Sequence, residues 1–300
     1  MKKFNYVNAF IYTIGWIICV FGGSYGFKTL PIVITFFLVG GQLLYLRSQE
    51  EKVFIQDLIL LFYAAFFGFL MEVTFLKMSF VSYATENRLS SMFPPGWLFC
   101  LYFLFALTFN HSLQFLNKRY IFPLIGGFAG GFLSYYAGFR IGAVWFLSKY
   151  SLIYISFFWA FYLTFIIFLN EKLRLITSKV YDAASLEKPL KVFFDMKCPI
   201  CAKEVSQLKK RKQTGKVEYL SLDSEKDLLK YTDKFSYQSA MKKIHGIDFD
   251  GNILKGVDVF IQLYSRVDLQ WLAVLLKAPG FNQVFTLGYL IWAKIRLLNR

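Results

Sequence analysis

Six nearly unbroken apolar runs crowd the first 170 positions of this chain, near Tyr6–Gly23, Thr29–Leu46, Gln56–Met78, Gly96–Phe115, Ile121–Phe139 and Tyr150–Leu169. Each approaches or exceeds the roughly 18–20 residues that a helix needs to cross the hydrocarbon layer of a bilayer. A composition of 56% hydrophobic and 20% aromatic residues is more than a soluble core uses, so the surplus must face lipid. The first run lacks a small-x-small cleavage site in Cys19-Val20-Phe21-Gly22-Gly23-Ser24 and is expected to stay as an anchor. In the fifth, Gly126-Gly127-Phe128-Ala129-Gly130-Gly131 either packs closely on a neighbouring helix or breaks its own.

Charge divides the chain in two. Residues 1–170 hold only 11 of the 34 Lys+Arg and 5 of the 19 Asp+Glu, and the rest follow. Lys and Arg favour the cytoplasmic side of a membrane. With the N-terminus inside, nine of them (Lys2, Lys3, Arg47, Lys52, Lys118, Arg119, Lys172, Arg174, Lys179) fall in inner segments. Five (Lys28, Lys77, Arg88, Arg140, Lys149) fall outside. Six spans then leave the C-terminal part in the cytosol. The formal net charge of +15 sits beside the spans, which assigns it to an anionic membrane surface rather than to nucleic acid.

Residues 171–189 read as a charged linker, and residues 190–300 as one α/β domain of ordinary size. Leu190–Asp195 is short and apolar enough for a buried strand, and Ala202–Lys212 reads as a helix with Val205 and Leu208 on one face. Lys216–Leu222 alternates as a second strand. Between the first strand and the helix stands Cys198-Pro199-Ile200-Cys201. A strand, a CxxC opening a helix, and a second strand form the first unit of a thioredoxin-like fold.

The spacing has a chemical reason. Cys198 falls at the helix N-terminus, where unpaired N–H groups and the helix dipole favour a thiolate. Cys201, one turn on, is placed to resolve a mixed disulfide formed at Cys198. Pro199 suits the first helical turn, where its missing N–H is no loss. Two other readings stand beside redox exchange. A zinc site needs four ligands, and the domain supplies these two cysteines and His245. A structural disulfide is disfavoured in a reducing compartment.

The segment Asp195-Met196-Lys197-Cys198-Pro199-Ile200-Cys201 resembles the signature of the DCC thiol-disulfide oxidoreductases, an Asp three residues before a CxxC. The similarity runs on through Lys243–Phe260 and Ala278-Pro279-Gly280 to a helix over Tyr289–Arg296. It implies a thioredoxin-like fold and thiol-disulfide exchange at Cys198 and Cys201. Met196 replaces the family's usual Gly, and no proline lies between Pro199 and Pro279 to match the cis-proline of thioredoxins. Asp195 either tunes the proton balance of the cysteine pair or caps the turn. His245 and Asp258 read as turn and loop residues flanking a hairpin at Asp250-Gly251. The last helix, about Phe281 to Leu298, reads as packing on the domain or lying on the membrane surface.

The first half is similar to an uncharacterised family of bacterial integral membrane proteins, on Pro94-Pro95-Gly96-Trp97, Ala106–Leu113 and Gly130–Ala143. Ionisable groups inside a bilayer are costly and mark candidate sites. Glu72 and Arg140 both lie toward the outer face and are expected to pair, while His111 suits helix-helix hydrogen bonding or a head group or quinone. Cys19 and Cys100 share a depth near the outer face, where they are either packing residues or a redox pair.

Two function classes follow: a membrane-tethered disulfide reductase of a bacterial inner membrane, or a transporter or sensor with a regulatory redox domain. Partners of the first are protein or small-molecule thiols and disulfides, with lipid around the spans. No cofactor is expected: with no nucleotide-binding fingerprint, electrons come from another protein, a small thiol or a quinone.

Overall fold

The computed structural model describes residues 2–84, 93–195 and 199–298. The chain divides into two compact units, Met1–Glu171 and Lys172–Arg300.

In the first unit, α1 (Lys2–Ser24), α2 (Leu30–Gln49) and α3 (Glu51–Lys77) run as three long apolar helices. A three-residue strand β1 (Val81–Tyr83) follows, then α4 (Gly96–Ala106), α5 (Ile121–Ile141), strand β2 (Val144–Phe146) and α6 (Ser151–Val180). Five of these helices, all but α4, are long and apolar enough to cross a membrane. The fourth expected span is the exception. It is α-helical only over α4's 11 residues and continues as a chain of tight turns, such as His111 N to Thr108 O at 3.1 Å, into a 3-10 helix at Gln114–Leu116.

That segment nevertheless returns across the unit. β1 and β2 pair antiparallel with Val81 opposite Phe146, which holds the C-terminal ends of α3 and α5 on one side. The chain between them must therefore run back, and its side chains meet α3 in reverse order. Tyr102 reaches Glu72 near the end of α3, and Asn110 and His111 reach Asp57 near its start.

The glycine run of α5 packs and does not break the helix. A Cβ on Gly127 would stand 2.5 Å from the Trp159 carbonyl oxygen and 2.8 Å from Ala160 Cα, so α5 and α6 touch backbone to backbone here.

In the second unit, the stretch expected as a linker is largely helical: α6 continues to Val180, and a short α7 (Ala183–Glu187) precedes β3 (Leu190–Phe194). The remaining elements are α8 (Pro199–Lys210), β4 (Val217–Ser221), α9 (Glu225–Leu229), α10 (Tyr237–Lys242), β5 (His245–Ile247), β6 (Ile253–Lys255), α11 (Val257–Tyr264), α12 (Gln270–Lys277) and α13 (Phe281–Leu298). The sheet order is β4-β3-β5-β6, with β3 parallel to β4 and antiparallel to β5. The expected hairpin joins β5 to β6, with Gly251 at φ 79° in its turn.

Strand alternation sorts the core into two layers. Leu190 and Val192 face Leu208 of α8 and Val259 and Leu263 of α11. Phe193 faces the other way, into Leu222, Leu228, Phe235 and Ala240. This β-α-β unit with a following hairpin and helix, α8 and α11 sharing one face of a mixed sheet, is a thioredoxin-like arrangement.

Candidate functional site

β3 is buried at every position but Lys191 and delivers Asp195, itself buried, to the carboxyl end of the sheet. Cys198 lies outside the described residues. Pro199 opens α8, and Cys201 is the third residue of that 12-residue helix, in the first turn, where backbone N–H groups are unpaired within the helix. Lys209 and Lys210 occupy its last turn and suit the opposite end of the dipole. Val205 and Leu208 anchor the helix on the sheet, as the apolar spacing suggests. From α11, the Tyr264 hydroxyl donates to Glu204 Oε1 at 2.9 Å, and burial with the neighbouring carboxylate pushes that phenol's pKa up.

His245 is not a turn residue. It occupies β5 beside β3, 1% exposed, stacked on Phe235 at 4.5 Å. Its Nδ1 lies 2.9 Å from the Lys243 carbonyl and its Nε2 3.2 Å from Ser239 Oγ, and burial lowers its pKa. Asp258 sits in the first turn of α11, rather than in a loop.

The membrane helices hold two further polar sites. Glu72 is fully buried and accepts three phenolic hydroxyls: Tyr102 on Oε1 at 2.5 Å, Tyr135 on Oε1 at 2.5 Å, and Tyr83 on Oε2. Gly68, one turn before Glu72, makes room for this. A Cβ there would stand 2.3 Å from the Tyr102 ring. The expected pairing of Glu72 with Arg140 is therefore wrong. Arg140 is exposed and donates to Tyr136 at 3.2 Å, because the three tyrosines fill the space around the carboxylate.

The second site centres on Asp57, which the sequence reading passed over because it stood inside an otherwise apolar run near its charged end. It is fully buried and holds His111 Nε2 at 2.8 Å and Asn110 Nδ2 at 2.7 Å. Asn170 of α6 donates to Asn110 Oδ1 at 3.0 Å. Beside it, Asn8 of α1 donates to Gln42 at 2.8 Å and accepts from Ser112 Oγ at 2.7 Å. His111 thus serves helix-helix hydrogen bonding. A signal for Asp57 was present: it lies 15 residues before Glu72, on nearly the same side of one helix.

Cys19 and Cys100 are free thiols and both are buried, with Thr35 Oγ1 3.6 Å from Cys19 Sγ.

Comparison with known proteins divides the chain at the same place. Residues 5–165 match a family described as a protein of unknown function, DUF2878. The chain belongs to the DUF2878 family. Residues 192–299 match the DCC1-like thiol-disulfide oxidoreductases, so the C-terminal domain of this DUF2878 protein belongs to a thiol-disulfide oxidoreductase family. An uncharacterized chloroplastic protein of Arabidopsis thaliana is 32% identical over 109 residues, 36% of this chain and 51% of the relative. The chain thus spans about half the length of that plant protein. No solved structure matches it.

Proposed function

We propose that this DUF2878 protein is a membrane-tethered thiol-disulfide oxidoreductase of the protein-disulfide reductase type. The observation that carries the reading is the DCC1-like match over residues 192–299, in which a CxxC follows a buried strand and runs into a helix.

In the proposed reaction the Cys198 thiolate attacks one sulfur of a substrate disulfide. A mixed disulfide forms and the other substrate sulfur leaves as a thiolate that takes up a proton. The Cys201 thiolate then attacks Cys198 Sγ, which closes the Cys198–Cys201 disulfide and releases the second substrate thiol. Two electrons have passed from the pair to the substrate, and an external dithiol or two small thiols return them. Asp195, buried beside the pair in sequence, accepts or supplies the proton that Cys201 exchanges. No bound cofactor enters. The domain faces the cytosol of a bacterial inner membrane in this reading, supported by the nine inner against five outer basic residues.

The test compares two substitutions in the full chain. Cys201→Ser should accumulate a mixed disulfide with a partner on a non-reducing gel, and Cys198→Ser should trap nothing and abolish exchange. If neither changes any thiol-dependent activity, the reading fails. An impermeant thiol reagent added outside intact cells should leave Cys198 unlabelled; labelling would reverse the orientation. A second reading, a transporter or sensor regulated by the thiol pair, is favoured by one observation, the two buried carboxylates of α3.

A further inference from the structure

We infer that the membrane unit conducts protons across the bilayer along the core-facing side of α3, with the Asp57–His111 pair as the exchange group at one end and Glu72 with its three tyrosines at the other.

The placement comes first. Asp57 stands near the start of α3 and Glu72 near its end, both with no exposed surface. Fifteen residues at about 1.5 Å each put them about 22 Å apart, most of the thickness of a hydrocarbon core. The two sites therefore approach opposite faces of the layer that α3 spans.

The residue type comes second. A glutamine or asparagine could make the same helix-helix hydrogen bonds without the cost of an ionisable group in a bilayer. What a carboxyl adds is the capacity to gain and lose a proton. Its surroundings suit that use. Both oxygens of Glu72 are engaged by hydroxyls, with Tyr83 and Tyr135 themselves 3.4 Å apart. Hydroxyls aimed at a carboxylate occupy the lone pairs that a metal cation would need, whereas a proton is accommodated when one phenol turns to accept from the carboxyl. Each phenol both donates and accepts, so a proton can be handed on by rotation of an O–H bond. At the other end, an imidazole can bind a proton on one nitrogen and release it from the other.

Polar groups also line the interval. Tyr162 of α6 donates to the Ala64 carbonyl at 2.9 Å, and its ring lies edge-on to that of Tyr102 at 5.7 Å. Asn8, one turn before Tyr12 on α1, bonds Ser112, the neighbour of His111.

The test uses the full-length protein in liposomes that contain a pH-sensitive dye, with a potassium gradient and valinomycin setting the membrane potential. Wild-type protein should change the internal pH at least tenfold faster than protein-free liposomes. Glu72→Gln and Asp57→Asn should return the rate to the protein-free level. Tyr102→Phe, which removes one of three hydroxyls, should slow it several-fold. Cys198→Ser with Cys201→Ser should leave it unchanged, which separates this proposal from the thiol chemistry. A wild-type rate equal to that of empty liposomes overturns the proposal, as does a monodisperse Glu72→Gln protein at the wild-type rate. Should the Gln variant fail to fold, an undiminished rate in Tyr102→Phe overturns it.

Discussion

The two units solve the packing problem in different ways. In the membrane unit the surroundings are as apolar as the side chains, so burying Leu or Phe between helices gains little, and contact depends on close approach and on polar side chains that find each other. Gly127 and Gly131 lie against Trp159, and the buried Glu72, Asp57, Asn8 and Gln42 each bond a neighbouring segment. In the second unit water is the solvent. There the sheet buries Leu190, Val192 and Phe193 in two aliphatic and aromatic layers, and its candidate chemistry lies in sequence between strand β3 and helix α8. The lesson is that a buried polar residue means different things in the two halves. In the membrane it is a fastening and a candidate site at once, whereas in the α/β domain the scaffold beneath the candidate site is apolar.

The sharpest way to break this contrast is at α5. Gly127→Ala forces a methyl group into backbone atoms of α6 and should cost about 3 kcal/mol, seen as a lower melting temperature in detergent. Gly126→Ala, one residue away, meets nothing within 4 Å and should be neutral or slightly stabilising. Equal effects from the two would show that α5 is not held by its small-residue face.

A smaller effect should follow in the second unit, where one polar tie supplements the apolar layers. The Tyr289 hydroxyl of α13 accepts the Ile244 N–H at 2.9 Å, at the entrance to β5. Tyr289→Phe keeps the ring packed in the cluster with Val257, Ile261 and Leu276 and removes the hydroxyl. The expected loss is about 1 kcal/mol by thermal or chemical unfolding. A loss several times larger would mean that α13 is fastened chiefly by this bond and not by its apolar contacts.

Much of this architecture was legible in the residues. Apolar runs of membrane length marked the first unit, and the strand, CxxC, helix, strand order marked the second, because both depend on local periodicity. Three things were not legible. α4 stops at Ala106, although the run looks apolar to Phe115, since hydropathy does not report which backbone geometry an apolar segment takes. Glu72 was expected to choose Arg140 by charge, but three phenols on β1, α4 and α5 reach it first, and that convergence exists only in three dimensions. His245 was assigned to a turn because the neighbouring glycine and aspartates read as loop, whereas its place on a central strand follows from pairing with β3.

His245 supplies the last and smallest test, because it is a titratable group inside the apolar scaffold of the second unit. Burial lowers its pKa in the folded protein below the value of about 6.5 that it has in an unfolded chain. As pH falls through that value, the unfolded chain gains a proton that the folded chain resists. Its contribution to stability is thus fully present above about pH 6.5 and is lost progressively on acidification. The full-length protein should therefore melt at a lower temperature at pH 5.5 than at pH 7.5. In His245→Gln, which cannot titrate, the difference between the two pH values should shrink, while every other group stays common to both proteins. If wild type and variant show the same pH dependence, the imidazole does not resist protonation and the interior beside Phe235 is open to water, which would weaken the contrast between the two units.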